Sequence, residues 1–392
     1  MSCDLINRNP DLKKLRDEGY EIEVRSGHLL VRRVPYVNSR KEIAFGVLVT
    51  PLGDMAGDKT TKPQTHVIYF VGDHPCDKDG NIIKGIAHSS AKTQLADGLV
   101  IDHSFSNKPA NGFENYYDKI LHYLLIISSQ AESIDHTVTA KTFKIIDSED
   151  RDAVFNYLDT NTIRSEIIPI NAKLENLKVA IIGLGGTGSY VLDFLAKTPV
   201  KEIHLYDGDE YLSHNAFRAP GATSIETLRE QPKKVVYFKR VYSNMRRNIF
   251  PHEYHLDASR IEELRGLNYV FMCIDDGIVK KSLIEKLTEV AVPFIDVGIG
   301  INVIDGRLAG SARVTVGTQE KNDHFEKRIS FARDGADMYN TNVQISELNA
   351  LNAALAVIKW KKMAGFYHDL EKEHHSVYEI YSNKILNEET IS

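Results

Sequence analysis

Residues 178–189, KVAIIGLGGTGS, constrain the fold of this chain more than any other stretch. An apolar run leads directly into Gly183, Gly185 and Gly188, which fit G-x-G-x-x-G, and a helical pattern follows to Lys197. The order predicted is strand, tight turn, helix. The glycines allow the turn and a close backbone approach to phosphate, and the helix N-terminus favours negative charge. Asp207 ends the next predicted strand, 19 residues after Gly188. A carboxylate there suits a ribose hydroxyl pair. The pattern reads as a nucleotide site without separating NAD from ATP; the bland alternative is a glycine turn tightened for packing.

The surrounding rhythm agrees. Strands are predicted over residues 178–182, 201–206, 268–274 and 292–297, with helices over 188–197, 231–244 and 279–290 among them. Strands alternating with helices imply parallel βαβ units and a doubly wound, mostly parallel sheet. Residues 343–363 predict a long, mostly apolar helix packed on that sheet, and 376–386 a last edge strand. Upstream the reading differs. Residues 21–24, 29–34, 44–49 and 67–70 read as short strands, and 113–129 contain a helix with Tyr116, Ile120, Tyr123 and Ile127 on one face. Residues 152–163 read as a further helix. The charged stretch DSEDRD at 147–152 is the clearest seam, so the expected division is a smaller α+β domain over 1–147 and an α/β domain over 148–392.

Three features beyond the glycine loop bear on the ligand. Asn215 and Arg218 form N-x-x-R just past Asp207-Gly208-Asp209; an amide and a guanidinium there suit a polyphosphate better than a dinucleotide. Gln231-Pro232-Lys233 opens the following helix and adds a point charge. Asp275 and Asp276 follow the strand YVFMCI, where carboxylates beyond a strand end face the ligand crevice and can hold Mg²⁺. Each alone is also an ordinary cap or surface residue. Their joint order is harder to dismiss.

In that order the residues resemble the adenylation domain shared by ThiF, MoeB and the ubiquitin-activating enzymes. The doubled glycine of GLGGTGS, the DGDEYLSHNAFR segment, QPK and CIDD carry the resemblance, over roughly residues 152–385. The preceding half lies outside it, although the two-part layout is similar to proteins of bacterial ubiquitin-like conjugation systems. The resemblance implies ATP- and Mg²⁺-dependent adenylation of a carboxylate, above all the C-terminal glycine of a ubiquitin-like or sulfur-carrier protein, releasing pyrophosphate. It implies that Gly183, Gly185, Gly186 and Gly188 contact the nucleotide and Asp207 the ribose. Asp209 would join the ribose or metal network. Asn215, Arg218 and Lys233 would hold the phosphates, and Asp275 would hold Mg²⁺. It also implies an arginine donated across a homodimer, for which Arg164 in NTIRSEIIPI is the best match, 19 residues before Gly183.

The chain departs from the family at several points. No cysteine follows Cys273, so the usual thioester position is absent, and the paired zinc cysteines are missing. Cys273 itself falls in a predicted buried strand. Cys76 in VGDHPCDKDG is the one substitute nucleophile, though acidic neighbours would raise its pKa. Position 276 is Asp where Asn is usual, and Lys280 stands where Arg is common.

Composition limits the rivals. The net charge of −6 disfavours nucleic-acid binding, and with it a tRNA-modifying dehydratase that adenylates a nucleoside carboxylate. An NAD-binding oxidoreductase would leave N-x-x-R, QPK and Asp275 without a purpose. No run nears the ~18 apolar residues a membrane span needs. The N-terminus lacks a secretory core, and the three cysteines are too few for a disulfide framework, so a cytoplasmic location is expected. Seven of the 15 histidines precede the seam, in no metal-ligand spacing. Asp77-Lys78-Asp79-Gly80 is too short for an EF-hand and reads as a hairpin turn. The aromatic-rich segment 103–123 suits either a recognition surface or a core, and docking of a protein substrate or a downstream conjugating enzyme is the role expected of this domain.

Overall fold

The computed structural model describes residues 2–144, 154–165, 167–331 and 343–390, and the chain divides into two compact units, Met1–Ile170 and Asn171–Ser392. The division falls downstream of the DSEDRD seam, which lies outside the described residues.

The first unit is built on a six-stranded antiparallel sheet in the order Ile22–Arg25, His28–Val37, Ile43–Pro51, Ile68–Val71, His103–Phe105, Ala87–Ser89. The helix Tyr116–Ile134 starts where Asn115 accepts the Asp118 N–H and packs on the His28–Val37 strand. Its Tyr116, Ile120, Tyr123 and Ile127 fill the core with Leu29, Val31, Phe70 and Phe105. The aromatic segment is therefore mainly core. Residues 154–159 are not helical. Asp159 accepts the Thr162 N–H and hydroxyl, so it caps a short helix, Thr160–Arg164, instead of continuing one. Asp77 accepts the N–H groups of Asp79 and Asn81 around Gly80, and Cys76 bridges Ile82, the hairpin turn read from the sequence.

The second unit holds an eight-stranded sheet. Five strands are mutually parallel, in the order Ile249–His252, Glu202–Tyr206, Lys178–Ile182, Tyr269–Met272, Phe294–Ile304. The order reverses direction from the central Lys178–Ile182 strand, and ligand crevices open at such switch points, beyond the carboxyl ends of the strands. Val179, Ile181, Ile203, Leu205 and Phe271 are completely buried, as strands covered on both faces must be. On one face lie the helices Gly186–Ala196, Lys234–Tyr242 and Ser346–Met363, which share a core with these strands; Leu283, Ile284 and Leu287 of the helix Gly277–Glu289 join a second cluster with Ile182, Val270 and Met272.

Beyond the parallel strands the sheet continues antiparallel through Arg307–Gly317, Glu373–Glu379 and Lys384–Thr390. The expected strand at 292–297 thus extends to Ile304 and turns back through Asp305-Gly306, both at positive φ. That dipeptide suits a two-residue hairpin. The expected edge strand at 376–386 is a hairpin. No helix among the described residues is long and apolar enough to cross a membrane.

Candidate functional site

The glycine loop connects the Lys178–Ile182 strand to the helix that starts at Gly186, and its geometry leaves little room for side chains. Gly183 has φ +88°, and a Cβ on it would lie 2.7 Å from the Cys273 carbonyl oxygen. On Gly188 a Cβ would meet the Gly183 carbonyl oxygen at 1.9 Å, and on Gly186 the Asn349 amide at 2.1 Å. Gly185 differs: among the described residues nothing lies within 4 Å of its Cβ position, so they leave the loop open there.

Asp207 anchors this loop. Its Oδ2 accepts the Leu184 N–H at 2.7 Å, and its Oδ1 accepts the Asp209 N–H at 2.9 Å. The buried ammonium of Lys234 lies 3.4 Å from Asp207 Oδ2 and 2.7 Å from Asp209 Oδ2. Burial works against charge on Asp209, but Lys234, His255 and Lys233 outweigh it and hold its pKa below the ordinary carboxylate value. Asp207, Asp209 and His255 bring ligand atoms within 4.8 Å of one another. The Lys234 ammonium already neutralises part of that cluster, which disfavours a divalent ion among them.

These groups open on a cavity of about 950 Å³. Gly183, Gly185, Gly186, Asp207, Asp209, Arg218 and Asp275 of the sequence-selected residues line it, together with Lys234, Lys280 and Arg313. Arg218 carries a buried Nε with no hydrogen-bond partner among the described residues. Asn215 is buried; its Oδ1 accepts the Leu212 N–H at 2.9 Å, and its Nδ2 is unpartnered. The unpartnered Arg218 donor, on the same cavity wall as the glycine loop, fits a polyphosphate, while Asn215 is not on that wall. Asp275 is exposed on the cavity wall, while Asp276 caps the helix Gly277–Glu289 by accepting the N–H groups of Ile278 and Val279. An exposed carboxylate suits Mg²⁺, which binds through one or two carboxylates plus phosphates and keeps several waters.

Lys233 is not on the cavity wall: its Nζ donates to the Gly208 carbonyl at 2.8 Å, and of the pair it is Lys234 that lines the cavity. The doubled lysine of QPKK was the available signal for it. Arg164 belongs to the first unit, its aliphatic stem beside Gly53. Cys76 is 1% exposed, its thiol donates to the His74 carbonyl at 3.4 Å, and burial together with Asp77 pushes its pKa up. Those are properties of a packing thiol and the reverse of what thioester formation requires. Burial also pushes up the Cys273 thiol, with Asp296 adding to it.

A feature outside the expected set lies on the strand Phe294–Ile304. Asp296 is completely buried, with Lys280 Nζ 2.8 Å from one oxygen and Arg313 Nη1 2.7 Å from the other. Sequence reading passed over it because Asp296 sits inside an apolar strand and Arg313 inside a strand not foreseen.

The profile of the ThiF family matches residues 135–358, and residues 10–160 match a family described as a domain of unknown function, DUF6791. Over 147 residues the chain is 26% identical to the Saccharomyces cerevisiae protein named Adenylyltransferase and sulfurtransferase UBA4, a match covering 36% of this chain and 30% of that one. The chain thus spans under a third of the length of the curated relatives it matches. Among solved structures, E. coli MccB with ATP is 19% identical, with a TM-score of 0.44, over 56% of this chain and 66% of MccB. PaaA is 16% identical, with a TM-score of 0.47, over 78% of this chain and all of PaaA.

Proposed function

Because the chain belongs to the ThiF family, matched over more than half its length, we propose that it uses ATP and Mg²⁺ to adenylate a carboxylate. The favoured substrate is the C-terminal glycine of a ubiquitin-like or sulfur-carrier protein. The observation that carries this reading is the unpartnered Nε of Arg218 on the wall of the cavity that the glycine loop opens. The local likeness to a yeast adenylyltransferase supports it.

ATP would supply the adenylyl group. A carboxylate oxygen would bond to the α-phosphorus as the bond to pyrophosphate breaks, with no protein nucleophile. The chain has then to position two anions and offset the charge that grows on the leaving pyrophosphate. Gly183–Gly188 would receive the phosphates on backbone N–H groups. Arg218, with the Asn215 amide near it in sequence, would pair with the phosphate oxygens. Asp207, whose Oδ1 accepts the Asp209 N–H, retains capacity for a ribose hydroxyl. Lys233, bonded to the Gly208 carbonyl, would have to turn to reach a phosphate, whereas Lys234 already faces the cavity. Asp275 would hold Mg²⁺. A second copy of the chain would donate Arg164, making the working enzyme a homodimer. The first unit would dock the protein substrate or a downstream conjugating enzyme.

The test is exchange of labelled pyrophosphate into ATP, scanned over ubiquitin-fold proteins that end in glycine, with Asp275→Ala alongside. Exchange that requires both a carrier and Asp275 is expected. Exchange with neither, together with nucleotide-independent melting, would remove the reading.

A further inference from the structure

Asp296, Lys280 and Arg313 form a buried ion cluster in which one carboxylate is shared by two cations, leaving a formal charge of +1. Burying three charges is costly, and clusters of this kind are poor stabilisers compared with apolar packing. Here the two cations also line the cavity. The sheet register places the cluster. Asp296 pairs with Met272, and Met272 with Ile182, the residue before the first loop glycine. Two strand spacings, roughly 10 Å, therefore separate it from the glycine-loop strand.

The hydrogen bonds of Arg313 are one-sided. Nη1 serves both Asp296 Oδ2 at 2.7 Å and Thr315 Oγ1 at 3.0 Å. Among the described residues Nε and Nη2 have no acceptor, and these two donors form one edge of the planar guanidinium, spaced to grip two oxygens at once. Gly298 is what lets the guanidinium lie close to the strand. A Cβ there would lie 2.9 Å from Nε, 3.0 Å from Cζ and 3.0 Å from Nη2, pressing on the face of the group. Gly300, two residues on, has nothing within 4 Å of its Cβ position among the described residues, which leave the strand beside the guanidinium bare.

We propose that the Nε–Nη2 edge of Arg313, oriented by Asp296 and seated against the bare backbone of Gly298, is the seat of the carboxylate that is to be adenylated. The inference rests on the adenylation reading and names the substrate end of the same cavity. The charge argument selects a carboxylate over phosphate. A cluster already half neutralised matches a monoanion, whereas Arg218 and the helix-opening glycine loop suit a polyanion. Asp296 is a positioning residue in this arrangement, because it holds Arg313 without facing the ligand.

The test follows the Arg Nε–H signals of the isotope-labelled full-length protein by NMR, the Arg313 signal being identified by its loss in Arg313→Lys. The probe is N-acetylglycylglycine at millimolar concentration, with its C-terminal amide as control, in the presence of Mg²⁺ and α,β-methylene-ATP. The carboxylate is expected to move the Arg313 signal and the amide to leave it in place. Followed by the other signals that the peptide moves, Arg313→Lys and Gly298→Ala each weaken the response about tenfold, since a lysine keeps charge without the fork and an alanine pushes the guanidinium out of place. Absence of a carboxylate response, or an equal response to the amide, overturns the proposal. So does a shift of the Arg313 signal by the nucleotide alone, which would make the edge a phosphate site. Melting separates the two readings: no stabilisation by the nucleotide counts against adenylation, while a carboxylate response without it keeps the seat and removes the ATP.

Discussion

The backbone N–H of Leu184 donates to Oδ2 of Asp207 at 2.7 Å, tying the glycine loop to the end of the neighbouring parallel strand. Asp207 therefore shapes the loop whether or not a ribose is present.

Asp207→Asn should disturb loop and ligand together. An amide offers one acceptor oxygen where the carboxylate uses two, so either the Leu184 or the Asp209 N–H loses its partner. The Lys234 ammonium, 9% exposed, also loses half of its counter-charge. A stability loss of about 1–3 kcal/mol is expected, with loss of stabilisation by Mg-ATP. Thermal melting with and without Mg-ATP checks both; unchanged nucleotide stabilisation would show that Asp207 is not part of the binding surface.

Gly185 and Gly188 should respond differently to alanine. At Gly188 the new methyl meets a backbone oxygen at 1.9 Å, so the loop must shift and the melting temperature should fall. At Gly185 the methyl enters open space, so folding is unaffected while nucleotide binding weakens by tenfold or so, the order of one lost phosphate contact. Paired melting and nucleotide titration of the two variants test this. Equal loss of stability in both would contradict the geometry.

The parts legible in the sequence are those carried by a local pattern. The Lys178–Ile182 strand and the helix after it were readable because apolar run, glycine spacing and helical period coincide within about twenty residues. The parallel pairing of these strands follows from the same alternation. What escaped depends on pairings across the sheet. Asp296 meets Arg313 and Lys280 only once residues 294–304 fold back through Asp305-Gly306, a hairpin signal that was present but hidden by the glycines at 298 and 300. Lys234 escaped because a lysine pair gives no sign of which member faces inward. The helix expected over 152–163 failed where Asp159 offered a cap in place of continuation.

Cys76→Ser should leave any adenylation activity intact. The thiol is buried, and its pKa is raised by burial and by Asp77. Reaction of the native protein with a thiol reagent should therefore be slow at Cys76, and no reducible acyl adduct should form on it during turnover. Mass spectrometry after a quenched reaction with ATP and carrier is the measurement. An adduct on Cys76 that is removed by thiols would reinstate it as a nucleophile.

The row that carries Asp296 continues to Thr315 and His375, which pair in register, and Thr315 Oγ1 lies 2.9 Å from His375 Nδ1. Burial, then Arg328 and Arg313, push the His375 pKa down to about 4, only partly opposed by Glu388. An unfolded histidine titrates near its ordinary value of 6.5. Between these values the unfolded chain binds the proton that the folded chain refuses. His375 thus costs no stability above pH 6.5 and progressively more as pH falls towards 4, on the order of 3 kcal/mol in all. Denaturant unfolding of the protein and of His375→Gln across that window gives the check. The variant should lose less stability on acidification than the parent. Parallel curves would mean that His375 is not held neutral beside Arg313, and the row behind the proposed carboxylate seat would then carry a charge that this account does not give it.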